Sequence, residues 1–201
     1  MSFTHLNKDV VMSWLIAAVV AVLLLFYFWY ATIVSRRNAA EEAFSGIDVQ
    51  LKKRTDLIPN ILKIASRFME HEQSLLTEVT RLRTEVLKAA ESSDRVDAEK
   101  RFELEGALEG KLSGLMVAVE NYPELKSQEN MAEAQRVYAD VEEHISAARR
   151  SYNAAARRLK DAITIFPGTL IAAAMGVKSM PFFEVAETDR APINADDFLK
   201  S

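Results

Sequence analysis

The arrangement nearest to a metal site in this sequence is Glu70-His71-Glu72, a histidine between two acids. Successive helical residues point about 100° apart, so three neighbours cannot close on one ion and exposure to solvent is the expectation. His144 stands among charged residues on the polar side of a helix and carries the same expectation. The chain has no cysteine, which rules out disulfides, thiolate nucleophiles, thiolate zinc sites and iron–sulfur clusters. The zinc-protease histidine pair, the phosphate loop, the nucleophile elbow and the dinucleotide glycine pattern are all missing. The expectation is a non-enzyme, with no catalytic residue, no cofactor and no metal.

Arg54 offers a different chemistry. It falls in the row Phe44, Ile47, Leu51, Arg54, Ile58, Ile61, Ala65 and Phe68, spaced three and four apart, which is the apolar seam of a helix packed in a left-handed bundle. A guanidinium on such a seam is buried and needs a paired acceptor. Glu120 and Glu142 are the candidate carboxylates, the latter beside the seam of another helix, and Tyr152-Asn153 are candidate further members. The expectation is a structural network that fixes helix register, with a ligand or partner site as the alternative. Asp56 and Asn60 flank Pro59, where a missing amide donor predicts a kink near Thr55–Pro59 or a fresh helix start.

Three of the six glycines, Gly106, Gly110 and Gly114, stand four residues apart inside a helix-like stretch. Each disfavours the helix by about 1 kcal/mol relative to alanine, so a compensating contact is expected. Glycines at this spacing let a second backbone come close, either from the same bundle or from another protomer.

These residues need elements to hold them. Val10–Val34 carries no charge and as a helix reaches ~37 Å, beyond the roughly 30 Å of bilayer hydrocarbon, which predicts a transmembrane helix. A cleaved signal peptide has a shorter apolar region, and a core helix is seldom apolar on every face. Arg36, Arg37, Lys52, Lys53 and Arg54 follow the span whereas only Lys8 precedes it, so residues 1–9 are expected outside and the C-terminal part in the cytoplasm of a bacterial inner membrane. A net charge of −4 with no basic stripe gives no reason to expect nucleic acid.

The fold class expected is all-α, an N-terminal transmembrane helix continuous with a long antiparallel helical bundle over 35–166. Its helices are predicted at about 36–69, 71–91, 97–121 and 127–165. Leu75, Val79, Leu82, Val86 and Ala89 mark the second seam, and Leu104, Leu108, Leu112, Leu115, Val119 and Tyr122 the third. The fourth runs through Met131, Ala134, Tyr138, Val141, Ile145, Ala148, Tyr152, Ala155, Leu159, Ala162 and Phe166. Whether the chain turns near His71 is left open. Tyr122-Pro123 stops the third helix and Ser127 is the expected N-cap of the fourth. Residues 167–201 are expected to form a short apolar cap, Leu170–Met175, an apolar anchor at Met180–Phe183, and an extended acidic tail with Ile193 and Phe198 as docking side chains.

Arg37-Asn38 followed by Glu42 through Asn60 (EAFSGIDVQLKKRTDLIPN), which includes Asp48, Arg54, Asp56 and Pro59, closely resembles the signature of the LemA family. Further marks are His71-Glu72, the run Glu120-Asn121-Tyr122-Pro123-Glu124-Leu125-Lys126, Arg149 with Tyr152-Asn153, Phe166-Pro167 with Leu170-Ile171-Ala172, and Phe182-Phe183-Glu184. Where many members carry a second Tyr-Asn, this chain has Leu159-Lys160. The resemblance implies a bacterial single-pass membrane protein with a helical, coiled-coil-like soluble domain, and it implies no catalytic residues.

Two function classes follow. One is a scaffold that self-assembles on the lipid bilayer as a homo-oligomer and organises a membrane patch or a membrane-protein partner. The alternative is a membrane-anchored adaptor or receptor for an envelope-stress or membrane-protease partner. The scaffold is favoured because Ala40, Ala43, Leu57 and Ile64 form a second apolar row beside the first, more seam than one four-helix core needs.

Overall fold

Scarce glycine and proline in a chain rich in Ala, Leu, Glu, Lys and Arg leave the backbone little choice but helix. The computed structural model describes residues 3–91 and 95–184, and among them there is no strand. The helices are α1 (Phe3–Ala65), α2 (Gln73–Ala90), α3 (Arg95–Val119), α4 (Pro123–Lys126), α5 (Glu129–Thr164) and α6 (Gly168–Met175), with a 3-10 turn at Glu70–Glu72. The expected docking side chains Ile193 and Phe198, and the caps at Ser92-Ser93-Asp94, lie outside the described residues.

The chain divides into two compact units, residues 1–42 with 154–180 and residues 43–153 with 181–201. In the first, α1 exposes its apolar side chains from Val10 to Phe28 and at Tyr30, with Trp29 half-buried, while Ile33 and Ala40 are buried. By length and composition α1 can cross a membrane. Ala155, Ala156, Leu159, Ala162 and Ile163 of α5 and Ile171 and Ala172 of α6 are the other buried apolar residues of this unit. The α5–α6 corner is tight: a methyl group on Gly168 would stand 1.9 Å from the Ala162 carbonyl oxygen and 3.6 Å from the Trp29 ring. Phe166, expected on the α5 seam, is instead exposed, because the helix ends at Thr164 and the chain turns before the seam reaches it.

In the second unit the seams meet in one apolar cluster. It takes Ile58, Ile61 and Ala65 from α1, Leu76, Val79, Leu82 and Val86 from α2, Leu108, Leu112, Leu115 and Val119 from α3, and Met131, Ala134 and Tyr138 from α5. Leu57, Ile64 and Phe68 pack at its edge, so part of the second apolar row of α1 is absorbed by this core.

Three local points are settled. Of the two expectations at Pro59, the fresh helix start is not seen, since α1 passes through it. Proline has no N–H to offer the Thr55 carbonyl one turn back, and Arg83 of α2 supplies the donor, its Nε 3.1 Å from that oxygen. Around His71 the chain does turn, through the 3-10 residues. Ser127 is not the N-cap of the long helix: Pro123 opens the one-turn α4, and the Ser127 hydroxyl donates back to the Glu124 carbonyl at 3.0 Å, closing that turn.

Candidate functional site

Three layers can be followed along the second unit from the apolar cluster outward. Arg54 lies four residues before Ile58 on α1, Glu105 three before Leu108 on α3, and Glu142 four after Tyr138 on α5. The opposite sense of α5 is that of an antiparallel neighbour, and one turn beyond the apolar cluster all three helices present a charge. The Arg54 side chain is fully buried. Its Nη2 donates to Glu105 Oε2 at 2.6 Å and to the Glu105 carbonyl at 3.0 Å, and its Nη1 to Glu142 Oε1 at 3.1 Å. Glu109 Oε2 stands 3.7 Å from the same Nη1 and accepts from Arg149 Nη2 at 2.6 Å. Arg101 pairs with Asp48 at the side of this group. Four carboxylates therefore face three guanidiniums.

Burial opposes charge on Arg54, but the carboxylates of Glu105, Glu142 and Glu109 outweigh it and hold the guanidinium above its ordinary range. Burial pushes the Glu105 carboxyl up, and Arg54 offsets this only in part. Glu105 Oε1 is buried without a hydrogen-bond partner among the described residues, in keeping with that direction. Burial followed by the Glu142 charge likewise raises the Tyr138 phenol, next along α5.

The outer layer is aromatic. Phe44, Phe102 and Tyr152 meet with ring centroids 5.6–6.1 Å apart. The Phe183 ring stacks on Phe102 at 4.4 Å and 9°, with the Arg149 guanidinium 4.5 Å from its centroid. Asn153 reads the backbone of Phe183 in both directions: its Nδ2 donates to the Phe183 carbonyl and its Oδ1 accepts from the Phe183 amide, each at 2.9 Å. The Tyr152 hydroxyl donates to the Pro181 carbonyl at 2.5 Å.

The residues singled out in the sequence fall into separate places. Arg54 and Glu142 come together; Glu120 does not join them and pairs with Lys126 at the surface. Tyr152 and Asn153 hold residues 181–183 and make no hydrogen bond to Arg54 among those found. Arg37 pairs with Glu41 one turn along at 2.7 Å, Asn38 is exposed, and Asp56 pairs with Lys52 at 3.3 Å on the surface. Asn60 is exposed, Tyr122 edges the apolar cluster, and Pro123 starts α4. Both His71 and His144 are exposed, and no group of three or more metal-ligating side chains occurs among the described residues. Glu105, Glu109, Arg101 and Phe102 are the members that the sequence reading missed, while Phe183 belongs to the expected apolar anchor at Met180–Phe183.

The glycine row takes an unexpected place. Among the described residues, a methyl group on Gly106, Gly110 or Gly114 would meet nothing within 4 Å, so none of them makes the close approach that the spacing allows. Gly110 and Gly114 are exposed, and Val117, one turn on along the same face, is 70% exposed.

Chemically, the charged layer is a set of buried ion pairs beside an aromatic layer, with Glu105 Oε1 and the Nε atoms of Arg54, Arg101 and Arg149 left without a hydrogen-bond partner among the described residues. Curated relatives align with most of the chain. Magnetosome proteins MamQ 1 and MamQ 2 of Paramagnetospirillum magneticum are each 24% identical, over 89% of this chain and 73% of theirs. MamQ of Magnetospirillum gryphiswaldense is 23% identical over the same shares. The profile of the LemA family matches residues 43–196, a span that takes in the charged layer, the glycine row and the Phe183 clamp, and on that match the chain belongs to the LemA family.

Proposed function

We propose that the protein is a non-enzymatic, membrane-anchored helical scaffold that self-assembles and organises the membrane or a membrane-protein partner. In this reading α1 anchors the chain in a bacterial cytoplasmic membrane, N-terminus outside and bundle in the cytoplasm, following the arginines and lysines after the span. The observation that carries it is the glycine row. Three glycines disfavour α3 by about 1 kcal/mol each, and no atom of their own bundle uses the space they leave. The backbone of a second copy fits there, and confinement to a membrane raises the concentration of copies. The MamQ relatives are named for a cellular structure, the magnetosome, rather than for a reaction.

The absence of cysteine gives a clean test, because a single introduced thiol has no competitor. In the full chain in native lipid, Gly110→Cys is expected to give disulfide-linked dimers under mild oxidation, while Lys88→Cys, on the exposed side of α2, stays monomeric. Equal cross-linking at the two sites, or none at Gly110→Cys, overturns the glycine contact.

A further inference from the structure

From Ile163 to Val177 the sequence contains no charged side chain. A short helix lying against a protein in water is normally apolar on one face and polar on the other. In α6 both faces are apolar: Ile171 and Ala172 are buried, while Leu170, Ala173 and Ala174 are exposed, Leu170 to 58%. Just before it, Ile165 and Phe166 are 57% and 75% exposed. This apolar surface is not placed at random along α1. Gly168, at the start of α6, comes within a methyl contact of Trp29, at the end of the exposed apolar run that closes with Tyr30. Indole rings at the end of a membrane span settle at the headgroup level. Nearby along the chain, the last turns of α5 carry exposed Arg157 and Arg158, and α1 continues into exposed Arg36 and Arg37. These cations suit the phosphates of anionic lipids.

We propose that α6, with Ile165 and Phe166, is a second membrane contact: an interfacial helix whose outer face, Phe166, Leu170, Ala173 and Ala174, dips into the lipid at the depth of Trp29. Burying such a face stabilises by about 25 cal/mol per Å² of apolar surface removed from water, which is what an exposed phenylalanine and leucine otherwise forgo. A surface contact beside the span restricts the rotation and tilt that one helix alone leaves free. The proposal rests on α1 being a membrane anchor, and the test separates the two.

The full chain in nanodiscs of mixed neutral and anionic phospholipid takes nitroxide labels singly at Leu23→Cys, Phe166→Cys, Leu170→Cys and Lys88→Cys. Accessibility to dissolved oxygen, which partitions into lipid, is compared with accessibility to a water-soluble nickel chelate. At Phe166→Cys and Leu170→Cys the oxygen-to-nickel ratio is expected roughly fivefold above that at Lys88→Cys and below that at Leu23→Cys, as for a helix at the headgroup boundary. A ratio at Leu170→Cys equal to that at Lys88→Cys, with Leu23→Cys immersed, overturns the interfacial helix and leaves the anchor standing. A Leu23→Cys label open to the chelate overturns both. Exclusion of both reagents at Leu170→Cys, with spin–spin broadening, makes the occupant a second copy of the chain and overturns lipid.

Discussion

Arg54→Met is expected to lower the stability of the bundle by about 3–5 kcal/mol, because removing one partner of a buried ion pair strands the other. Glu105 is the group left behind. It lies with Arg54 beneath the aromatic layer, its second oxygen already has no partner, and neither Arg101 nor the surface can replace a donor at 2.6 Å. Replacing both ends changes the outcome: in Arg54→Met with Glu105→Leu the seams of α1 and α3 become apolar throughout, and most of the loss is expected to return. Denaturant unfolding of the three proteins checks this, and an Arg54→Met midpoint equal to that of the natural chain contradicts it. The pH dependence adds a second reading. Burial holds Glu105 above the usual carboxylate range in the folded chain, so folding takes up a proton between the unfolded and folded values, and the contribution of this group falls as pH rises through that window. Without Arg54 the strongest opposing charge is gone and the window extends upward. The deficit of Arg54→Met is therefore expected to grow as pH rises through that window, and the double variant lacks this trend.

Phe183→Ala is expected to release the segment that follows Met180. The ring loses its stack on Phe102 and the cover of Arg149, and large-to-small changes at such a buried aromatic cost about 3–5 kcal/mol. The segment is held only at its own contacts, so the loss appears as local opening rather than as unfolding of the bundle. Amide exchange at position 183, whose N–H donates to Asn153, is expected to quicken by on the order of a hundred-fold, since each 1.4 kcal/mol is about tenfold. Asn153→Ala leaves the ring in place and gives a smaller change of the same sign. Unaltered protection at position 183 in Phe183→Ala would show that the aromatic slot does not hold the segment.

The helices were legible because so few residues interrupt them and because the apolar rows repeat at three and four. Arg54 stood out as one charge in an otherwise apolar row. Glu105 occupies the matching place on α3: Glu105, Leu108, Leu112, Leu115 and Val119 continue the same spacing, whereas the expected row starts from Leu104. A charge on one seam should have prompted a search for the opposite charge on another. The continuity of α1 through Pro59 has a different source. The local rule is right that the Thr55 carbonyl loses its donor, but the donor that replaces it comes from Arg83 on the next helix, which local rules cannot see. Tyr152 and Asn153 stood as candidate further members of the Arg54 network. Their partners lie about 30 positions later in a segment without helical periodicity, so only the folded chain reveals them. The glycine spacing was legible; that no described residue comes close to it was not.

Self-assembly through the glycine row is the centre of this account, and the mass of the full-length protein extracted with its lipid reports on it most directly. Light scattering and electron imaging are expected to show a closed assembly of many copies for the natural chain and a shift to small species for Gly110→Leu, whose side chain fills the space a second backbone needs. A monomer or dimer for the natural chain, unchanged by Gly110→Leu, would contradict the scaffold.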